Sequence, residues 1–160
     1  MKCSADMLRG IALALSILIA GAAHAQDLRP YKIENGAINL SLTGKPGDPA
    51  RGRQIVLERQ KGICLLCHSG PFPEERFQGD LAPSLAGVGS RMNAGEIRLR
   101  MVDGTKVNSD TIMPPYYRIE GLNRVAPNFR GKPLLNADEI EDVIAFLLTL
   151  REDGATGQSK

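Results

Sequence analysis

The chain of 160 residues is 42% hydrophobic, enough for one compact domain and no more. Its 20 basic and 18 acidic residues leave a formal net charge of +2, which excludes the concentrated basic surface that nucleic-acid binding requires.

At the N-terminus Lys2 and Arg9 lead into an apolar run from Ile11 to Ala20, and Gly21-Ala22-Ala23-His24-Ala25 then has the small-x-small form of a signal-peptidase site. The run is about half the roughly 20 residues that a membrane span needs. Residues 1–25 are therefore expected to be a cleaved signal peptide, giving an exported, periplasmic protein with no membrane span. Cys3 precedes the apolar run, whereas a lipidated cysteine would directly follow it. Cleavage removes Cys3 and His24, so every cysteine and histidine of the mature chain falls within Cys64-Leu65-Leu66-Cys67-His68.

Residues 26–47 form an N-terminal extension. Within it Asn35-Gly36, followed by the alternation Ala37-Ile38-Asn39-Leu40-Ser41-Leu42, predicts a small β-hairpin. After the breaker Gly44-Lys45-Pro46-Gly47, Asp48 as N-cap and Pro49 at the first helical position predict a helix from Pro49 to about Lys61, closed by Gly62. This opens the main domain, residues 48–155, ahead of a short tail at 156–160.

The Cys64, Cys67, His68 cluster carries the chemistry. A disulfide between Cys64 and Cys67 would close too small a loop to stabilise the chain by much. A redox CxxC would sit in an alternating strand and helix pattern, which is absent here, and a zinc site would need a second ligand pair, which is also absent. Covalent haem c accounts for the spacing. Two thiols one helical turn apart meet one porphyrin edge, and the adjacent His68 becomes the proximal iron ligand.

Residues Ser69 to Leu81, rich in Gly and Pro, read as a loop beside that cofactor. Gly87 and Gly89 do not make a dinucleotide fingerprint, because no strand precedes them and Met92 takes the third glycine's place. Asn93 with Glu96 resembles a capping box for a helix over Ala94 to Val102. A low-spin haem takes a second axial ligand, and with no other histidine the candidates are Met92, Met101 and Met113. Met101 pairs with Ile97 on a helix face and reads as core, and Met92 ends a turn. Met113, ahead of Pro114-Pro115, lies in a loop that cannot become helix and is the preferred ligand. Finally Asn136 and Glu139 form a second capping box, and Ile140, Val143, Ile144, Leu147 and Leu150 recur at helical spacing. This helix is expected to pack across the first, with Asp138, Glu139, Glu141 and Asp142 favouring its dipole.

The order of helix, CxxCH, Pro and Gly loop, Met-Pro loop and C-terminal helix resembles class I cytochrome c, an all-α fold around one covalent haem. From about Pro46 to Arg151, through GDPARGRQIVLERQKGICLLCH, GDLAPSLAGVGSR, TIMPPYYR and ADEIEDVIAFLLTL, the chain further resembles the SoxX family, the monohaem subunits of SoxAX. The resemblance implies that Cys64 and Cys67 attach one haem c and that His68 and Met113 ligate its iron. It also implies that the Pro83 carbonyl accepts the His68 Nδ1 proton, although Ala82 stands where many cytochromes c have Gly. Tyr116, Tyr117 and Arg118 are candidates for the haem propionates. By the same resemblance the chain is the electron-accepting subunit of a heteromeric L-cysteine S-thiosulfotransferase. It would pair with a SoxA-type subunit that holds the catalytic haem, so no catalytic residue is expected here. A carrier protein and a soluble cytochrome c would be transient partners, and residues 26–47 would help dock the SoxA-type subunit. A free-standing electron shuttle and a haem subunit of an unrelated oxidoreductase are the competing readings.

Overall fold

The computed structural model describes residues 28–152, so the expected signal peptide and the tail at 156–160 lie outside the described residues. Among the described residues four α-helices carry the fold: α1 (Pro49–Leu57), α2 (Val88–Arg91), α3 (Ala94–Asp103) and α4 (Ala137–Leu147). Single 3₁₀ turns occur at Cys64–Leu66, Gly104–Lys106 and Pro127–Phe129. Among the described residues there is no sheet, only two isolated bridges, Glu34 with Ala37 and His68 with Ala82.

Helix α1 starts as its sequence predicts, with Asp48 Oδ1 accepting from the N–H groups of Ala50 (2.8 Å) and Arg51 (3.3 Å) and Pro49 in the first turn. It stops at Leu57, one turn earlier than expected. Glu58 is extended (φ −74°, ψ 108°), and its carbonyl accepts from Lys61, Gly62 and Ile63, which reverses the chain. Glu58 to Lys61 are all polar, so another helical turn would bury nothing. Gly62 is not the helix cap but a point of contact, since a Cβ there would lie 2.0 Å from the Ile55 carbonyl oxygen.

Helix α4 has the expected capping box. Glu139 N–H donates to Asn136 Oδ1 (3.0 Å) and Asn136 N–H to Glu139 Oε2 (2.9 Å). Its apolar stripe of Ile140, Val143, Ile144 and Leu147 is buried. The helix packs on α1 so closely that a Cβ on Gly52 would meet the Asp142 carbonyl at 1.9 Å, so a glycine is required at that crossing. Helix α3 carries the other predicted capping box, Asn93 with Glu96.

The acidic residues of α4 divide into two groups. Asp138 and Glu139 lie in the first turn and favour the dipole. Glu141 and Asp142 are instead buried anchors. Glu141 forms a two-pronged pair with Arg98 of α3 (Nε to Oε1 2.7 Å, Nη2 to Oε2 2.8 Å) and accepts from Leu42 N–H (2.9 Å). Asp142 takes two bonds from Arg51 (2.7 and 2.9 Å) and one from Asp48 N–H (2.6 Å).

The hairpin forms only as its turn. Asn35 (φ 51°) and Gly36 (φ 73°) adopt the left-handed pair that a type I′ turn needs, and Glu34 and Ala37 exchange two backbone bonds (2.9 and 3.1 Å). The arms do not pair, because Ile38 N–H bonds to the Gly95 carbonyl at the start of α3 (3.0 Å) and Arg98 Nη1 donates to the Ile38 carbonyl (2.6 Å). Ile38 and Leu42 enter the same core as Leu99, Ile140 and Val143, so the extension is partly an integral layer of the fold.

Candidate cofactor site

The reversal after α1 puts Ile63 in the left-handed region (φ 52°) and starts a tight turn at Cys64. Cys67 and His68 N–H both donate to the Cys64 carbonyl (3.2 and 3.0 Å). The motif is thus a single helical turn with both cysteines free. Burial pushes the Cys64 thiol up to about 11, against a smaller opposing influence of the nearby Tyr116 hydroxyl. A thiol so protonated at neutral pH is unlike the low-pKa thiolate of a redox-active CxxC. Nor, among the described residues, do three His, Cys, Asp or Glu side chains converge as a metal site.

His68 Nδ1 lies 2.7 Å from the Pro83 carbonyl oxygen. A carbonyl can only accept, so Nδ1 carries the proton and Nε2 is left with a free lone pair. The loop between them is organised by Gln78, which accepts from Gly70 N–H (2.6 Å) and donates to the carbonyls of Phe72 (2.8 Å) and Glu75 (3.0 Å). Ala82 N–H donates to the Cys67 carbonyl (3.0 Å) without a positive φ, so the turn accommodates an alanine.

Cys64, Cys67, His68, Pro83 and Met113 all line one cavity of about 590 Å³ with mainly apolar walls, within the usual size range of about 300–1,000 Å³ for small-molecule and cofactor sites. Met92 and Met101 line it as well, so the cavity alone does not choose among the three methionines. Their settings differ. Met101 is 3% exposed within α3, whereas Met113 sits on the loop beyond it, its N–H bonded to Thr111 Oγ1 (3.2 Å) and its C-terminal side stiffened by Pro114 and Pro115.

Of the three propionate candidates only Tyr116 lines the cavity. Tyr117 is buried elsewhere and accepts from Arg29 N–H (2.5 Å). Arg118 Nε stands 2.9 Å from the buried Asp103 carboxylate, a charge contact without hydrogen-bond alignment. Arg91 and Arg100 also line the cavity, and no local pattern in the sequence marks them. Arg91 fastens the Pro83 loop to α2 by donating to the carbonyls of Ser84 (2.8 Å) and Ala86 (2.5 Å).

No protein-family model matches the sequence, and no curated protein does. Among solved structures, a chain of the crystal structure of SoxXA from P. pantotrophus is similar at 37% sequence identity with a TM-score of 0.71. The match covers 76% of this chain and 95% of that one. The all-α architecture is accordingly the class I cytochrome c-like one, and the chain belongs to the SoxX family.

Proposed function

We propose that this chain is the electron-accepting subunit of a periplasmic SoxAX-type L-cysteine S-thiosulfotransferase, carrying one covalent haem c. The observation that carries the reading is the juxtaposition, in one apolar cavity, of a CxxCH turn with two free thiols and an imidazole whose Nδ1 is held 2.7 Å from the Pro83 carbonyl. That donor set suits haem c. Cys64 and Cys67 would hold it by thioether bonds, His68 would present Nε2 to the iron and Met113 its thioether sulfur. When bound, the haem supplies a one-electron redox centre.

The protein's own residues do the rest. The Pro83 carbonyl fixes the tautomer and orientation of His68. Apolar walls exclude water, and Met ligation raises the reduction potential, which favours accepting an electron. No acid, base or nucleophile is required. Joining thiosulfate to a carrier-protein cysteine releases two electrons, which would arrive one at a time from a SoxA-type partner and leave in the same way to a soluble cytochrome c. Among the described residues no helix is long and apolar enough to cross a membrane, and residues 1–25 direct export.

The N-terminal extension contributes to docking the partner through its exposed face, where Tyr31 and Ile33 are each 39% exposed. Deleting all of 26–47 would also remove core residues Ile38 and Leu42, so the informative variant is Ile33→Asp. Co-expression with a SoxA-type subunit, purification through that subunit and assay of thiosulfate-dependent reduction of this chain's haem test the proposal. A stable, reducible complex weakened by Ile33→Asp is expected. A chain that stays monomeric beside its partner would make it a free shuttle.

A further inference from the structure

Tyr116 is 3% exposed, and its hydroxyl donates to the Gly62 carbonyl at 2.7 Å across 54 residues of sequence. The same carbonyl accepts from the Cys64 thiol (3.3 Å), so the phenol and the first cysteine converge on one oxygen. Gly62 itself cannot shift easily, wedged as it is against the Ile55 carbonyl. At its other end Tyr116 is fixed by its backbone. Its N–H donates to the Met101 carbonyl (2.9 Å), and its carbonyl accepts from Leu135 N–H (3.0 Å). Three residues upstream is Met113.

We infer that Tyr116 is a positioning residue whose hydroxyl ties the Met113 loop to the Cys64 turn, holding the two sides of the cavity at a set separation. The inference rests on the haem c reading above. Attachment adds the Cys64 S–H across a vinyl double bond, sulfur to one carbon and hydrogen to the other, with no change in electron count. The thiol donor to Gly62 is thereby consumed, and Tyr116 is the side-chain donor that remains. Burial pushes the Tyr116 hydroxyl well above the ordinary tyrosine range, with the nearby Cys64 adding to the shift, so it stays protonated and able to donate. A phenylalanine would fill the same space and leave the Gly62 oxygen without that donor.

The test uses the haem-loaded full chain, with wild type first shown to carry one covalent haem; if it does not, the cofactor reading fails rather than the role of Tyr116. Tyr116→Phe is compared with Tyr117→Phe, which deletes a second buried phenol of the same segment away from the cavity. The readout is displacement of the methionine ligand from ferric haem by added imidazole, followed by loss of the weak charge-transfer band. Loss of one net hydrogen bond predicts displacement at about five- to tenfold lower imidazole in Tyr116→Phe. Tyr117→Phe should stay within about twofold of wild type, whatever it does to the denaturation midpoint. Failure of Tyr116→Phe alone to retain haem would also support the role. Equal imidazole affinities in the two variants, or equal failure of both to load, would overturn it.

Discussion

Replacing Glu141 by Leu removes one half of a pair whose side chains are 5% (Arg98) and 4% (Glu141) exposed. Three groups lose their partner or their geometry together. The Arg98 guanidinium is left charged in the core, the Leu42 N–H loses its acceptor, and the Arg98 bond to the Ile38 carbonyl loses the carboxylate that aims it. An uncompensated buried charge costs about 3–5 kcal/mol, a large fraction of the roughly 5–15 kcal/mol that holds a domain folded. The double variant Arg98→Met with Glu141→Leu removes both charges and should recover the part of the loss that comes from the buried charge, leaving the cost of the unpaired Leu42 N–H and Ile38 carbonyl, about 1–3 kcal/mol each. Urea denaturation of wild type, single and double variants followed by circular dichroism measures both steps. A single variant within about 1 kcal/mol of wild type, or a double variant no better than the single, would refute the account of this pair. The apposition of residues 38–42 to α3 and α4 depends on it.

Met113→Ala should abolish the weak charge-transfer band of methionine-ligated ferric haem and lower the reduction potential; survival of the band would transfer the ligand role to Met92 or Met101. The Asp142 carboxyl is held below its ordinary value because the Arg51 pair and the Asp48 N–H outweigh the opposing effect of burial. A depressed carboxyl pKa contributes stability that is present above the unfolded value of about 4 and is lost as pH falls through the folded value. Wild type should therefore lose stability on acidification below about pH 4, and Asp142→Asn should be less stable at neutral pH but flatter over that acid range. Parallel pH profiles would remove Asp142 from the account.

The parts legible in the sequence are those set by neighbours along the chain. Asn93 with Glu96 and Asn136 with Glu139 announce two helix starts, because both partners of each capping box lie within one turn. Likewise Cys64, Cys67 and His68 fall in one tight turn, because their spacing confines them to five positions. What remained hidden depends on contacts between distant segments. Arg98 and Glu141 are 43 residues apart, and nothing local distinguishes that arginine from a solvated one. The hairpin arms looked adequate by alternation, but Ile38 finds its backbone partner in α3 rather than in the preceding arm. The choice between Tyr116 and Tyr117 was a question of facing, which α3 settles by fixing the Tyr116 N–H on the Met101 carbonyl.

On the proposed reading, the cavity beside the CxxCH turn holds haem through two thioether bonds. Expression of the full chain in a host that matures c-type cytochromes, followed by mass measurement of the denatured protein, tests it most directly. One haem per chain that survives denaturation, and is lost when Cys64 and Cys67 are both replaced by Ala, is the predicted result. A chain of unmodified mass with two titratable thiols would contradict it.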